Sequence, residues 1–376
     1  MKDFTSYDTK KIKGFAIILM LAHHLWAFPN RIAGGELKHL FTIFGDSSLL
    51  ILGNFGKICI SLFFFLGGYG IYIQSKKKGF NILKNIKKIY IAYWKVFIIF
   101  IPLALIFFNN WVPFCEAQDI YLRFAGWTWK DVVKNFLGVS SSLNGEWWFL
   151  SSYVVAIVLF PLLKGLIEKN SLLKNLFYIV IISILMTNVF PAIGSIKYLG
   201  TLNNNYLYNT IFCQTAPYIT CFYIGVLFAK ENLIIKLYNK INEVIKLNTI
   251  TDIIILGVII FFRSYVAGPE MDIIYVPLLI IILIDILSHI PILEKTFEKL
   301  GENSTNMWLI HSFYCYYFYP IVKIVVALRW GIPCLIVLIV LTLISSYIID
   351  YFWELIKKIY NKCLTFTKKY IKRESY

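Results

Sequence analysis

Ten stretches of this chain are long and apolar enough to cross a lipid bilayer, and no other feature restricts its fold as strongly. A helix needs about 20 mostly apolar residues to traverse a hydrocarbon core about 30 Å thick. Such stretches lie near 12–28, 47–73, 89–109, 146–163, 176–193, 210–229, 250–266, 273–290, 304–326 and 332–353. Composition agrees: of 376 residues, 59% are hydrophobic and only 15% charged, whereas a soluble domain carries about 25% charged residues. The expected fold is therefore an all-α polytopic membrane protein, one integral membrane domain over 1–376 with about ten transmembrane helices. The apolar run at 12–28 follows several lysines but lacks a small-x-small cleavage site, so it reads as a retained first span.

The net charge of +16 would suggest nucleic acid in a soluble protein. Here its distribution gives another answer. With the N-terminus inside, 26 of the 37 Lys and Arg residues fall in alternate loops and the two tails, including Lys10, Lys11, Lys13, Lys84, Lys87, Lys88 and the basic stretch from Lys357 to Arg373. That is the cytoplasmic bias expected of a multi-pass protein with both termini inside the cell membrane, and no nucleic-acid partner is indicated. Lys230 to Lys246 reads as an amphipathic helix in the interface. The outer region from Asn110 to Gly145, with Trp111, Trp127 and Trp129, is the longest polar interval. Seven cysteines without a CxxC pair support neither a disulfide framework nor a metal site.

Ionisable groups inside a span invite an explanation. His23 and His24 lie in the first span and His311 in the ninth. A buried neutral imidazole can simply hydrogen-bond a neighbouring helix. Lys13 and His24, however, are eleven residues apart, three turns to within about 20°, hence on one face and separated by about 16 Å along the axis. A cation at the rim with a base deeper on the same face suits a ligand with phosphates at one end and a reactive carbonyl at the other, which is the shape of a coenzyme A thioester. Elsewhere, Asp285 and His289 read as a satisfied pair and Arg263 as a side chain snorkelling to the interface; Lys57 and Lys95 could line a cavity.

Four stretches resemble the acyltransferase 3 family of integral membrane acyltransferases, many of which O-acetylate bacterial surface glycans. Lys13 to His24 is similar to the family's pattern of a basic residue, ten intervening residues and a histidine; Ser61 to Tyr69 resembles its Phe-Phe-x-x-Ser-Gly-Phe/Tyr segment, with Gly67 in place of the serine. Asn144-Gly145-Glu146-Trp147-Trp148-Phe149-Leu150 resembles its Trp-Phe/Tyr-Leu span entry, and Leu300 to His311 its Leu-Gly-x-x-Ser-x-x-x-Tyr-Leu-Ile-His, with Trp308 where tyrosine is usual.

The resemblance implies transfer of an acetyl or other short acyl group from acetyl-CoA, a co-substrate, to a hydroxyl of a cell-envelope polysaccharide or related sugar. It implies His24 as general base or transient acyl carrier, His311 facing the same cavity to stabilise an oxyanion or relay protons, and Lys13 with some of Lys84, Lys87 and Lys88 on the CoA phosphates. Those three lysines are equally explained by topology alone. Glu146 could hold an acceptor hydroxyl, orient an imidazole, or merely favour a helix start, while Trp147 and Trp148 could carry sugar rings. The rival is a transporter or flippase of envelope precursors, although Pro161, Pro217 and Pro277 show no repeat relating them.

Overall fold

The computed structural model describes residues 3–109, 122–196, 202, 205–266 and 268–374, with side chains to 365; Trp111 and Cys115 lie outside them. Among the described residues the architecture is helical apart from one two-stranded hairpin, Thr42–Ile43 with Asp46–Ser47. We number the main helices α1 (Ser6–Trp26), α2 (Ser48–Gly56), α3 (Ile58–Lys78), α4 (Ile82–Phe107), α5 (Trp129–Phe136), α6 (Trp148–Lys169) and α7 (Leu172–Ile184). They continue with α8 (Ala216–Glu231), α9 (Leu233–Ile245), α10 (Thr249–Tyr265), α11 (Asp272–His289), α12 (Pro291–Ser312), α13 (Tyr319–Val326) and α14 (Gly331–Glu374).

Six helical units are each long and apolar enough to span a membrane, and three bent pairs bring the number to nine among the described residues. The chain is thus a polytopic all-α membrane protein. The expected span at 47–73 is α2 and α3 broken at Lys57, an exposed residue that caps α2 and begins α3. The ninth expected span breaks by 90° between Tyr317 and Tyr319. Helix α9 meets α10 at 111°, the angle expected where an interfacial helix turns into a span. The first expected span differs from the rest: α1 is largely buried among other helices and carries paired lysines at its start.

Why α1 can sit inside the bundle is answered by two glycines. A Cβ on Gly14 would lie 1.9 Å from the carbonyl oxygen of Phe297, and one on Gly301 would lie 1.9 Å from that of Lys10. Helices α1 and α12 therefore cross backbone against backbone, as small residues permit between helices in lipid. Ion pairs fasten the same end: Lys10 Nζ lies 2.8 Å from Glu302, and Lys11 Nζ lies 2.9 Å from both Asp8 and Glu294. A second close crossing joins α3 to α8, where Cβ atoms on Gly68 and Gly225 would each fall 2.1 Å from the carbonyl oxygens of Phe222 and Phe65.

These distances carry an expectation. Gly14→Ala or Gly301→Ala must push α1 and α12 apart, at a cost of about 1–3 kcal/mol for an overpacked contact. Thermal unfolding in detergent should show a lowered midpoint for both. Gly165→Ala, where a Cβ meets nothing within 4 Å, should leave it unchanged.

Arg263 corrects the expectation that it snorkels. It is 6% exposed; its Nε and Nη2 donate to the two carboxylate oxygens of Asp272 at 2.7 and 3.1 Å, and its Nη1 to the carbonyls of Asn54 and Phe55. The guanidinium thus adds a donor to carbonyls at the α2–α3 break, and Asp272 supplies its counter-charge. Asp285 is buried beside α9, accepting a 2.5 Å hydrogen bond from Tyr238 and lying 3.5 Å from His289.

Candidate functional site

The crossing of α1 and α12 sets the site. His24 ends the last turn of α1 and His311 the last turn of α12, with ring centroids 4.7 Å apart. A third element brings the carboxylate. Asn144 and Ser312 exchange hydrogen bonds of 2.8 and 3.0 Å, and Trp147 Nε1 donates to the Leu309 carbonyl at 2.9 Å. Those two ties peg the turn before α6 onto α12, so Glu146 lies with Oε2 3.8 Å from His24 Nε2 and Oε1 3.8 Å from Arg31. Three residues far apart in sequence therefore meet at one point.

They line one wall of a cavity of about 450 Å³, together with Lys13, Met20, His23, Phe63, Leu66, Gln74, Asn85, Lys88, Trp148, Phe149, Ser304 and Trp308. Lys13 and His24 line the same cavity, as their register on one helix face requires, and so do Ser304 and His311 seven residues apart on α12. Between its ends the wall is mostly apolar, interrupted by Tyr153, Ser304 and Thr305. Its two ends are polar and unlike: imidazoles and a carboxylate at one, and the cations Lys13 and Lys88 with Gln74 and Asn85 at the other.

Lys10 and Lys11 are neutralised by carboxylates, but Lys13 has no ion-pair partner among the described residues, and the charge that acts on it is the like charge of Lys88. Two cations facing one hollow repel each other until an anion joins them. Lys84 and Lys87 do not share this position: both are exposed and neither lines the cavity. On α4 the residues that do are Asn85, Lys88, Ile89 and Ala92, one helical stripe, and both Lys84 and Lys87 are turned off that stripe around the helix axis.

Proton placement follows from the partners. The Nδ1 of His311 lies 2.5 Å from the Trp308 carbonyl, which can only accept, so Nδ1 carries the hydrogen. Its Nε2 is left buried and without a hydrogen-bond partner among the described residues. A neutral His311 held this way offers a lone pair and no N–H to the cavity. The expected oxyanion role would need the opposite tautomer or a protonated ring, whereas proton acceptance fits as it stands. His23, the neighbouring imidazole, is tied by Nδ1 to the Gly53 carbonyl at 2.8 Å.

Some expectations are corrected. Trp147 is 2% exposed and spent on packing and the Leu309 carbonyl, so it offers no platform for a sugar, while Trp148 does line the cavity. Lys57 is exposed and outside the wall, and Lys95 lies 3.9 Å from Asp350, also outside it. Gly67 faces the cavity where the related pattern has serine; a Cβ there would lie 2.6 Å from the Tyr153 hydroxyl. Two participants went unseen in the sequence, Arg31 beside Glu146 and Tyr316 beside His24. Among the described residues no group of three or more His, Cys, Asp or Glu side chains is arranged to hold a metal ion.

No curated protein and no solved structure matches the chain. A family model does, that of the acyltransferase 3 family, described as an acyltransferase domain, over residues 11–351. Nearly the whole chain is covered, including every residue of the site just described, and the chain therefore belongs to the acyltransferase 3 family and is an acyltransferase, transferring groups other than amino-acyl groups.

Proposed function

We propose that the protein moves an acetyl or other short acyl group from an acyl-CoA to a hydroxyl of a cell-envelope polysaccharide or related sugar, acting in the cell membrane with both termini in the cytoplasm. One observation carries this reading: a single cavity has the cations Lys13 and Lys88 at one end and three imidazoles with a carboxylate at the other. The separation of about 16 Å along α1 suits a donor whose phosphates stay at the cationic mouth while its pantetheine arm lies along the apolar middle. The thioester then reaches His24 and His311.

The chemistry balances with the side chains present. The acceptor's O–H gives its proton to His24 Nε2 as its oxygen forms a bond to the thioester carbonyl carbon; the carbon–sulfur bond breaks, and the leaving thiolate takes the proton back from the imidazolium. The products are an oxygen ester and free CoA. A positioned base contributes about 10²–10⁴-fold, and a histidine is suited to it because its ordinary pKa lies close to working pH. Glu146, 3.8 Å from His24 Nε2, stabilises the transient imidazolium. His311 accepts or relays a proton through its open Nε2.

Incubating the purified protein with acetyl-CoA labelled in the acetyl group, with and without envelope glycans, tests this. Release or transfer of label above the uncatalysed rate is expected, and glycan-dependent ester formation identifies the acceptor class. A protein that leaves the thioester intact with every glycan would overturn acetyl-CoA as the donor and leave the transport of envelope precursors to be tested directly.

A further inference from the structure

Tyr316 is fully buried, at 0% exposure, in the wide turn Phe313–Tyr317 that follows α12. Its hydroxyl donates to the main-chain carbonyl of His24 at 2.5 Å and lies 3.3 Å from that residue's Nδ1. A phenol has one hydrogen to give. With that hydrogen committed to the carbonyl, the oxygen can meet Nδ1 only as an acceptor, so the ring hydrogen must sit on Nδ1. Nε2, the nitrogen on the Glu146 side, is then the one with a lone pair.

From this we propose that Tyr316 is a positioning residue, holding His24 in the Nδ1–H form so that Nε2 is the base that takes the acceptor's proton. The role rests on the acyl-transfer reading above for its consequence, though not for its geometry. The carbonyl that receives the phenol hydrogen belongs to His24 itself, so the same hydroxyl fixes both the backbone and the ring of one residue. Without it no described residue hydrogen-bonds Nδ1 to select a tautomer, and a ring with its hydrogen on Nε2 presents a donor where the reaction needs an acceptor. Wrong-tautomer histidines are costly in hydrolases that rely on one.

The turn that carries Tyr316 serves this placement. In an α-helix, Tyr316 would stand about 140° around the axis from His311, since each residue turns the chain by about 100°. The wider turn, closed by Phe318 N donating to the Phe313 carbonyl at 2.7 Å, brings Tyr316 to His24 on the same side as His311. Wide turns of this type occur frequently at functional sites.

The decisive measurement is nitrogen-15 NMR of histidine-labelled full-length protein in lipid, with the His24 signals identified by their loss in His24→Ala. Wild type should show Nδ1 protonated and Nε2 not, above the ring's titration. Tyr316→Phe, which keeps the ring and removes the hydroxyl, should show a mixture or the reverse. Its kcat should fall by roughly 10–100-fold, the scale on which partners that orient a histidine matter, with KM for acetyl-CoA unchanged and only a small drop in the thermal midpoint, since one buried carbonyl loses its donor. A wild-type His24 protonated on Nε2 overturns the proposal even if the variant does not fold, and so does a Tyr316→Phe protein with the wild-type tautomer. Thioester consumption by wild type is a separate readout: its absence would remove the acyl-transfer reading and leave the tautomer result standing.

Discussion

His24→Ala should lower the rate of acetyl-CoA consumption by about 10²–10⁴-fold, the contribution of a positioned base, while leaving KM for acetyl-CoA close to wild type. The split follows from the proposed reading: if the cations Lys13 and Lys88 hold the donor's phosphates, about three turns from the imidazole on the same cavity wall, removing the ring takes away an interaction made in the transition state and not one made in the ground state. Stopped assays across a range of acetyl-CoA concentrations check it. His24 lies in the last turn of α1, about three turns from Gly14, so alanine there should leave the glycine crossings at Gly14 and Gly301 intact; a cooperative thermal transition close to wild type is the control. Rates within a factor of about three of wild type would show that proton transfer passes elsewhere, with His311 the next candidate. A variant that still accepts label onto protein but not onto acceptor would point to acyl carriage by another group.

The fold was readable because lipid leaves few alternatives: a chain with long apolar runs and cations in alternate loops has to be a helical bundle. The Lys13–His24 register was readable for the same reason, since a helix forced on residues 12–28 by the solvent fixes which side chains share a face. What the sequence could not disclose is which helices touch. Gly14 and Gly301 lie in separate motifs, and only their mutual contact with the opposite backbone shows that α1 and α12 cross and bring His24 to His311. Glu146 needed a further long-range fact, the tie from Asn144 to Ser312. Arg263 differs from its expectation because an arginine near a span end has the same sequence signature whether it reaches outward to water or inward to Asp272. Tyr316 was hidden by a local departure from the α-helix: helical spacing puts it on the wrong side, and nothing in Phe313-Tyr314-Cys315-Tyr316-Tyr317 announces the wide turn.

Lys13→Ala should raise KM for acetyl-CoA by about 10–100-fold, since a hydrogen bond to a charged group is worth roughly 1.5–3 kcal/mol, and should leave kcat nearly unchanged. The same substitution should have no effect on an acetyl thioester that lacks the nucleotide, such as acetyl-cysteamine, because that donor has no phosphate to hold. This pair of donors separates binding of the phosphates from a general disturbance of α1, which would harm both equally. Lys88→Ala should behave like Lys13→Ala with a smaller effect, because Lys88 is exposed and more fully screened. Lys84→Ala and Lys87→Ala, whose side chains stand outside the cavity wall, should change little. Lys13→Arg is expected to retain most of the affinity, as guanidinium also binds phosphate. Should Lys13→Ala weaken use of both donors alike, the cation at the rim would be holding the helix in place and the phosphates would have to be gripped by other residues.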